Sequence, residues 1–218
     1  MRRLDDKSRM SGDVHVRICE RLGVRFPRAT RLVVGFEFKT EAEQFWKELQ
    51  ERMQKFSLEL HPDKTRLLEF GRHAADNRAR RGLGKPETFD FLGFTHICGK
   101  TSKGRFAVLR QTIRKRMQAK LQVVKAELRR RMHDPIPEVG EWLKAVVGGH
   151  IRYYGVPSNR YALAHFRFTV ARYWHHVLRR RSQRGRVPWE RMKRLIHRWL
   201  PPAHIYHPYP SRRMRVTT

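Results

Sequence analysis

The spacing of apolar residues changes once along this 218-residue chain, near residue 110, and that change constrains the fold more than any other feature. Beyond it, Ile113, Met117, Leu121, Val124, Leu128 and Met132 recur at spacings of 4, 4, 3, 4 and 4, one face of an α-helix. Arg114, Lys115, Lys120, Lys125, Arg129 and Arg130 fall off that stripe. Asp134-Pro135-Ile136-Pro137 ends the helix, because proline disfavours helical geometry at the residue before it. A second helix is expected over 138–154, with Trp142, Leu143, Val146, Val147, Ile151 and Tyr154 inward. Gly155-Val156-Pro157-Ser158-Asn159 reads as a break and a cap. A third helix follows over 160–181 through Leu163, Phe166, Val170, Tyr173, Trp174 and Val177, and a fourth over 188–200 through Trp189, Met192, Leu195, Ile196 and Trp199. Residues 201–218 are a basic tail expected to dock loosely.

Before residue 110 the signals are shorter. Residues 1–31 are polar and basic without sustained periodicity and read as a poorly ordered segment. Order is expected to begin at Leu32-Val33-Val34-Gly35-Phe36, a run suited to a buried strand. Thr40-Glu41-Ala42-Glu43 has the form of a capping box, opening a helix with Phe45, Leu49, Met53 and Phe56 on one face. Leu58-Glu59-Leu60 and Arg66–Phe70 alternate around a turn at His61–Lys64 and predict a hairpin. Residues 71–87 read as an Arg/Gly loop. Phe89–Phe94 is a strand, turned back near Gly99…Gly104 into Arg105–Leu109. The expected class is α+β: a small sheet with a helix over 32–109, then an all-helical domain over 110–200.

Charge points to the partner. The chain carries 49 Lys+Arg against 20 Asp+Glu, a net +29, and residues 101–218 alone hold 28 basic residues against five acids. Most of those cations have no carboxylate to pair with, and a compact chain so charged repels itself unless a polyanion neutralises it. Hydrophobic residues make up 39%, enough for a core, so wholesale disorder is not expected. No run approaches the ~20 apolar residues of a membrane span, and the first residues lack a secretory apolar stretch. Two cysteines, Cys19 and Cys98, make neither a disulfide framework nor a four-cysteine metal site. A cytoplasmic protein with no membrane association is the expectation.

Three ordered segments carry a family resemblance. Leu58-Glu59-Leu60-His61-Pro62-Asp63-Lys64-Thr65 and Thr88-Phe89-Asp90-Phe91-Leu92-Gly93-Phe94 resemble the later palm motifs of group II intron reverse transcriptases. Tyr153-Tyr154-Gly155-Val156-Pro157-Ser158-Asn159 is similar to the centre of their maturase-specific (thumb) region. The resemblance spans residues 32–210 and implies that 32–109 is the end of a palm and 110–200 a thumb/maturase domain. In that family the strand matching Leu32–Phe36 follows a Tyr-Ala-Asp-Asp tetrad, whose aspartates hold catalytic metal ions. Here the aligned positions are Arg28, Ala29, Thr30 and Arg31, and the fingers and first half of the palm are missing. A truncated or disturbed frame upstream of Leu32 would account for this. Polymerisation by this chain alone is not expected. No cofactor or metal is expected either, with Mg²⁺ relevant only if another chain completes a polymerase site. The family's optional endonuclease module is also absent, and His204 and His207 read as exposed tail residues.

What remains is equipment for RNA. Lys64 and Arg66 sit at the palm turn, either as RNA contacts or as solvated charges. Phe91, Leu92 and Gly93 resemble the primer grip, where glycine permits close backbone approach, or serve structure alone. The first long helix resembles a thumb helix along a duplex, with Arg114, Lys115, Arg116 and Lys120 facing phosphates. Arg152 and Tyr153 pair a cation with an aromatic ring, suited to phosphate contact and stacking, whereas Tyr154 lies on the apolar stripe. Arg160, Arg167, Arg172 and Arg179 extend the basic series along the third helix. The expected function is binding of structured group II intron RNA to assist its splicing, with DNA a second possible partner and no oligomeric state implied. The alternatives are an RNA-directed DNA polymerase completed by a separate N-terminal half, and a decayed relic of one.

Overall fold

The computed structural model describes residues 13–20, 31–60, 65–181 and 187–208; over 13–20 and at Arg31 the backbone alone is described. The protein is α+β. It divides into two compact units, one of Met1–Leu92 with His96–Leu109, the other of Gly93–Thr95 with Arg110–Thr218.

The first unit starts from a strand that the sequence reading leaves unassigned. β1 (Asp13–Glu20) lies between β2 (Arg31–Phe36) and β3 (Thr65–Gly71), antiparallel to both. Val16 pairs with Gly35 on one side and Leu68 on the other. Residues 1–31 are therefore not a wholly unstructured segment: Val14, Val16 and Ile18 alternate at the period of a strand, but over too few residues to stand out. The predicted hairpin between 58–60 and 66–70 gives way to this arrangement. β3 pairs with β1 from Asp13↔Gly71 to Cys19↔Thr65, a longer ladder than three residues could offer.

Helix α1 (Lys39–Gln54) rests on β1 and β2, with Phe45 5.1 Å from the Phe36 ring. It begins one residue before Thr40, with Phe38 as N-cap and no side-chain cap bond, so the predicted capping box does not form. Glu43 instead pairs with Lys39 at 3.1 Å. Phe56 lies beyond the helix and is exposed. The predicted loop 71–87 contains α2 (Ala74–Arg80), whose alanines favour helix without giving an apolar stripe. β4 (Phe89–Phe91), β5 (Phe94–Lys100) and β6 (Phe106–Thr112) form a second sheet in chain order. Leu68, Phe70 and Phe89 are buried together, with Val33, Phe91 and Cys98 against them.

The second unit is built of helices: α3 (Arg114–Arg130), α4 (Ile136–Tyr154), α5 (Arg160–Arg179) and α6 (Trp189–Trp199). Leu121, Val124 and Leu128 of α3 meet Leu143, Val147 and Ile151 of α4 and Phe166, Val170 and Trp174 of α5 in one core. Each fully buried large side chain there contributes ~1.5–3 kcal/mol relative to exposure, so this core dominates the unit's stability. Gly140 lets α6 approach α4: a Cβ there would lie 2.5 Å from the Trp199 ring. The tail is more firmly held than expected, at least to residue 208. The amides of Tyr206 and His207 both donate to the Gly155 carbonyl, at 2.9 and 3.0 Å. His207, expected to be exposed, is half-buried with Nε2 2.9 Å from the Arg152 carbonyl.

Candidate nucleic-acid interface

The start of α3 is fixed from two sides. Thr112, just before it, donates its amide to Asn159 Oδ1 at 3.0 Å, and Asn159 Nδ2 donates to Thr112 Oγ1 and the Tyr154 carbonyl, both at 2.8 Å. Asn159 therefore does not cap α5 with its side chain, as its position predicts; it joins the end of β6 to the α4–α5 loop. The Ile113 amide donates to the Gly93 carbonyl at 3.1 Å. Leu92 and Gly93 have φ of 46° and 86°, the signature of a two-residue type I′ hairpin turn between β4 and β5. A Cβ on Gly93 would lie 2.9 Å from Tyr154 Oη, so glycine serves both the turn and this approach. The grip-like Phe91, Leu92 and Gly93 are thus a turn, with the Leu92 side chain exposed and Phe91 against the small core.

On this anchored start stand Arg114, Lys115 and Arg116, with Lys120 one turn further, all exposed and in no ion pair among the described residues. The first turn of α3 contains no acid. A helix N-terminus already carries about half a positive charge, so three cations there are mutually and locally unfavourable until an anion arrives. The acid of α3, Glu127, is engaged at the other end by Arg130 at 2.6 Å and Arg131 at 2.5 Å. Hydrogen bonds from Arg130 and then Arg131 hold its carboxyl down to about 2. The first unit contrasts: there Glu87 pairs with Arg66 at 2.9 Å and Arg78 at 3.4 Å, and Glu69 pairs with Arg81.

Arg116 and Lys120 also border a cavity of about 400 Å³, completed by Ala145, Val146, Gly149, His150 and Tyr154 of α4. The small residues keep the α4 wall low. His150 is buried, its ring 3.6 Å from that of Phe166 and nearly parallel, and Nε2 has no hydrogen-bond partner among the described residues. Burial first, and the Lys120 charge second, push its pKa down to about 4, so the imidazole is neutral at pH 7. Burial raises the Tyr154 hydroxyl above its ordinary value, against the opposing pull of Arg116. The arrangement places cations at the rim and the neutral imidazole of His150 and the ring of Tyr154 within, chemistry that suits an anion at the rim.

The remaining predicted residues divide. Tyr153 is exposed, its ring parallel to that of Phe94 at 6.0 Å. Arg152 and Arg160 are exposed, Arg160 opening α5 without an acid in the first turn. Arg179 is exposed near the end of α5, and Arg172 stands 5.9 Å over the Phe168 ring. Arg167 is engaged otherwise: Nε donates to the Pro201 carbonyl at 2.9 Å and Nη2 to the Leu200 carbonyl at 3.1 Å. Its guanidinium closes the end of α6 instead of facing a ligand, and burial lowers its pKa. Arg66 is paired with Glu87. Lys64, Arg28, Ala29 and Thr30 lie outside the described residues, and Arg31 is placed by backbone alone, at the start of β2.

Sequence reasoning finds the cations of α3 but not the cavity beside them. Gly148-Gly149 within a helical pattern was the available signal, since paired glycines mark a close approach or an open wall. No family model matches this chain, and no curated protein matches it. Among the described residues no helix is long and apolar enough to cross a membrane.

Proposed function

We propose that this protein binds RNA through the first turns of α3, as a maturase-like protein acting on structured group II intron RNA. Its work is to favour the RNA conformation that splices itself, which requires only tighter binding of that conformation than of its competitors. The reading rests chiefly on Arg114, Lys115, Arg116 and Lys120: four exposed cations, unpaired among the described residues, on the first turns of a helix beside a cavity that His150 and Tyr154 line. The link to intron RNA in particular rests on the resemblance of the 58–65, 88–94 and 153–159 segments. No catalytic group of the protein is needed for this work.

The test is the salt dependence of RNA binding by the full chain. Log K should fall against log salt by about 0.7–0.9 per phosphate neutralised. Replacing Arg114, Lys115 and Arg116 by Gln should lower affinity for all RNAs and flatten the slope by up to about three contacts. Gln is nearly as good a helix former as Arg, so circular dichroism should be unchanged. An unchanged slope with the helix intact would make this a solvated face and remove the reading. Preference for folded intron RNA over unrelated RNA at high salt tests the maturase part.

A further inference from the structure

The outward face of α5 has a composition that the phosphate contacts of α3 do not explain. Tyr161, His165, Phe168, Arg172, His176 and Arg179 recur at spacings of 4, 3, 4, 4 and 3, and all are exposed. They lie opposite Phe166, Val170, Trp174 and Val177, which enter the core. Tyr161 is 91% exposed and Phe168 53%. The stripe runs about 27 Å along the helix at ~1.5 Å per residue. Ordinary solvated helix faces carry charges of both signs at i,i+4 spacing. Here the whole of α5 contains no Asp or Glu.

We propose that this face of α5 stacks the bases of an unpaired RNA segment, with Arg172 and Arg179 on its phosphates. The inference rests on the RNA-binding reading above and adds the class of RNA and a second surface. In a duplex the base faces are covered, so exposed aromatic rings gain little from it. An unpaired strand presents base faces to Tyr161 and Phe168, and the two histidines can stack as well. Arg172, already over the Phe168 ring, can extend that stack or turn to a phosphate. Charge complementarity selects the polyanion over a protein partner: every charged side chain on the stripe is cationic. Beyond Phe168 the stripe continues as Arg172, His176 and Arg179, so the face is not the extended apolar patch that marks a protein-docking surface.

The experiment uses the full chain with two probes, an oligouridylate of about twelve nucleotides and an RNA duplex of similar length. Tyr161→Ala with Phe168→Ala should weaken oligouridylate binding about tenfold or more at fixed salt, leave its salt slope unchanged and spare the duplex. Phe168→Tyr, which keeps a ring, should bind as the parent does. Arg172→Gln with Arg179→Gln should flatten the oligouridylate slope by about two contacts. Because these side chains face water, thermal melts should be unchanged, and the Phe168→Tyr result stands even if the double alanine variant is destabilised. Wild-type affinity of the alanine variant for oligouridylate would overturn the proposal, as would equal loss for both probes. A change in sedimentation without a change in RNA binding would also overturn it, making the face a self-contact. Duplex binding that depends on α3 while the α5 variants are silent would remove this inference alone. Binding of neither probe by the parent chain would remove both readings.

Discussion

His150 is the residue whose chemistry is most altered by its surroundings. Packed against Phe166 and Tyr154 and facing the Lys120 charge, it is held neutral with its pKa near 4, against about 6.5 in an unfolded chain. Between those values the unfolded chain binds a proton that the folded one refuses. Stability of the helical unit should therefore fall as pH drops from about 6.5 to about 4 and level off below that. The loss attributable to this residue is about 3 kcal/mol. Urea titrations across that range should show it, and His150→Phe, which keeps a ring, should remove this component. If parent and variant show the same pH dependence, the imidazole titrates normally.

At the scale of elements, Arg167 separates a structural arginine from those proposed to bind RNA. It lies in the basic series of α5, yet its two donors satisfy the carbonyls of Leu200 and Pro201 where α6 ends. Arg167→Gln should cost about 1.5–3 kcal/mol of stability in denaturant titrations and leave the salt slope of RNA binding unchanged. A flattened slope at full stability would return Arg167 to the interface. The sequence does not distinguish it from Arg172, because the difference lies in what the tail brings to it from 33 residues away. The same limit explains what was legible elsewhere. The long helices were, because stripes such as Ile113–Met132 repeat a single period over five turns. β1 was not, because three alternating apolar residues give a weak local pattern and the strand is settled by its partners Leu32–Phe36 and Thr65–Gly71. Charge in α3 was legible as composition. The cavity was not, since its wall is defined by side chains that are small.

For the whole molecule, the division into units crosses the chain at an unexpected place. Gly93–Thr95 belongs with the helices, although it sits between stretches of the other unit. Gly93 receives the Ile113 amide, and the Phe94 ring lies 5.2 Å from that of Tyr154. A fragment of residues 93–208 should melt at least about 5 °C above one of residues 110–208, the shift expected from losing roughly a kcal/mol in a domain this size. Equal melting temperatures would show that the turn adds nothing to the helical unit. The other end of that unit has a consequence for synthesis. Trp199 and Leu200 complete its core, and Tyr206 and His207 satisfy the Gly155 carbonyl. At roughly 5–20 residues per second, a ribosome makes those partners on the order of 3–10 s after Gly155 itself. During that interval the apolar faces of α4 and α5 are without the last of their cover, on a nascent chain that is strongly cationic and still attached to RNA.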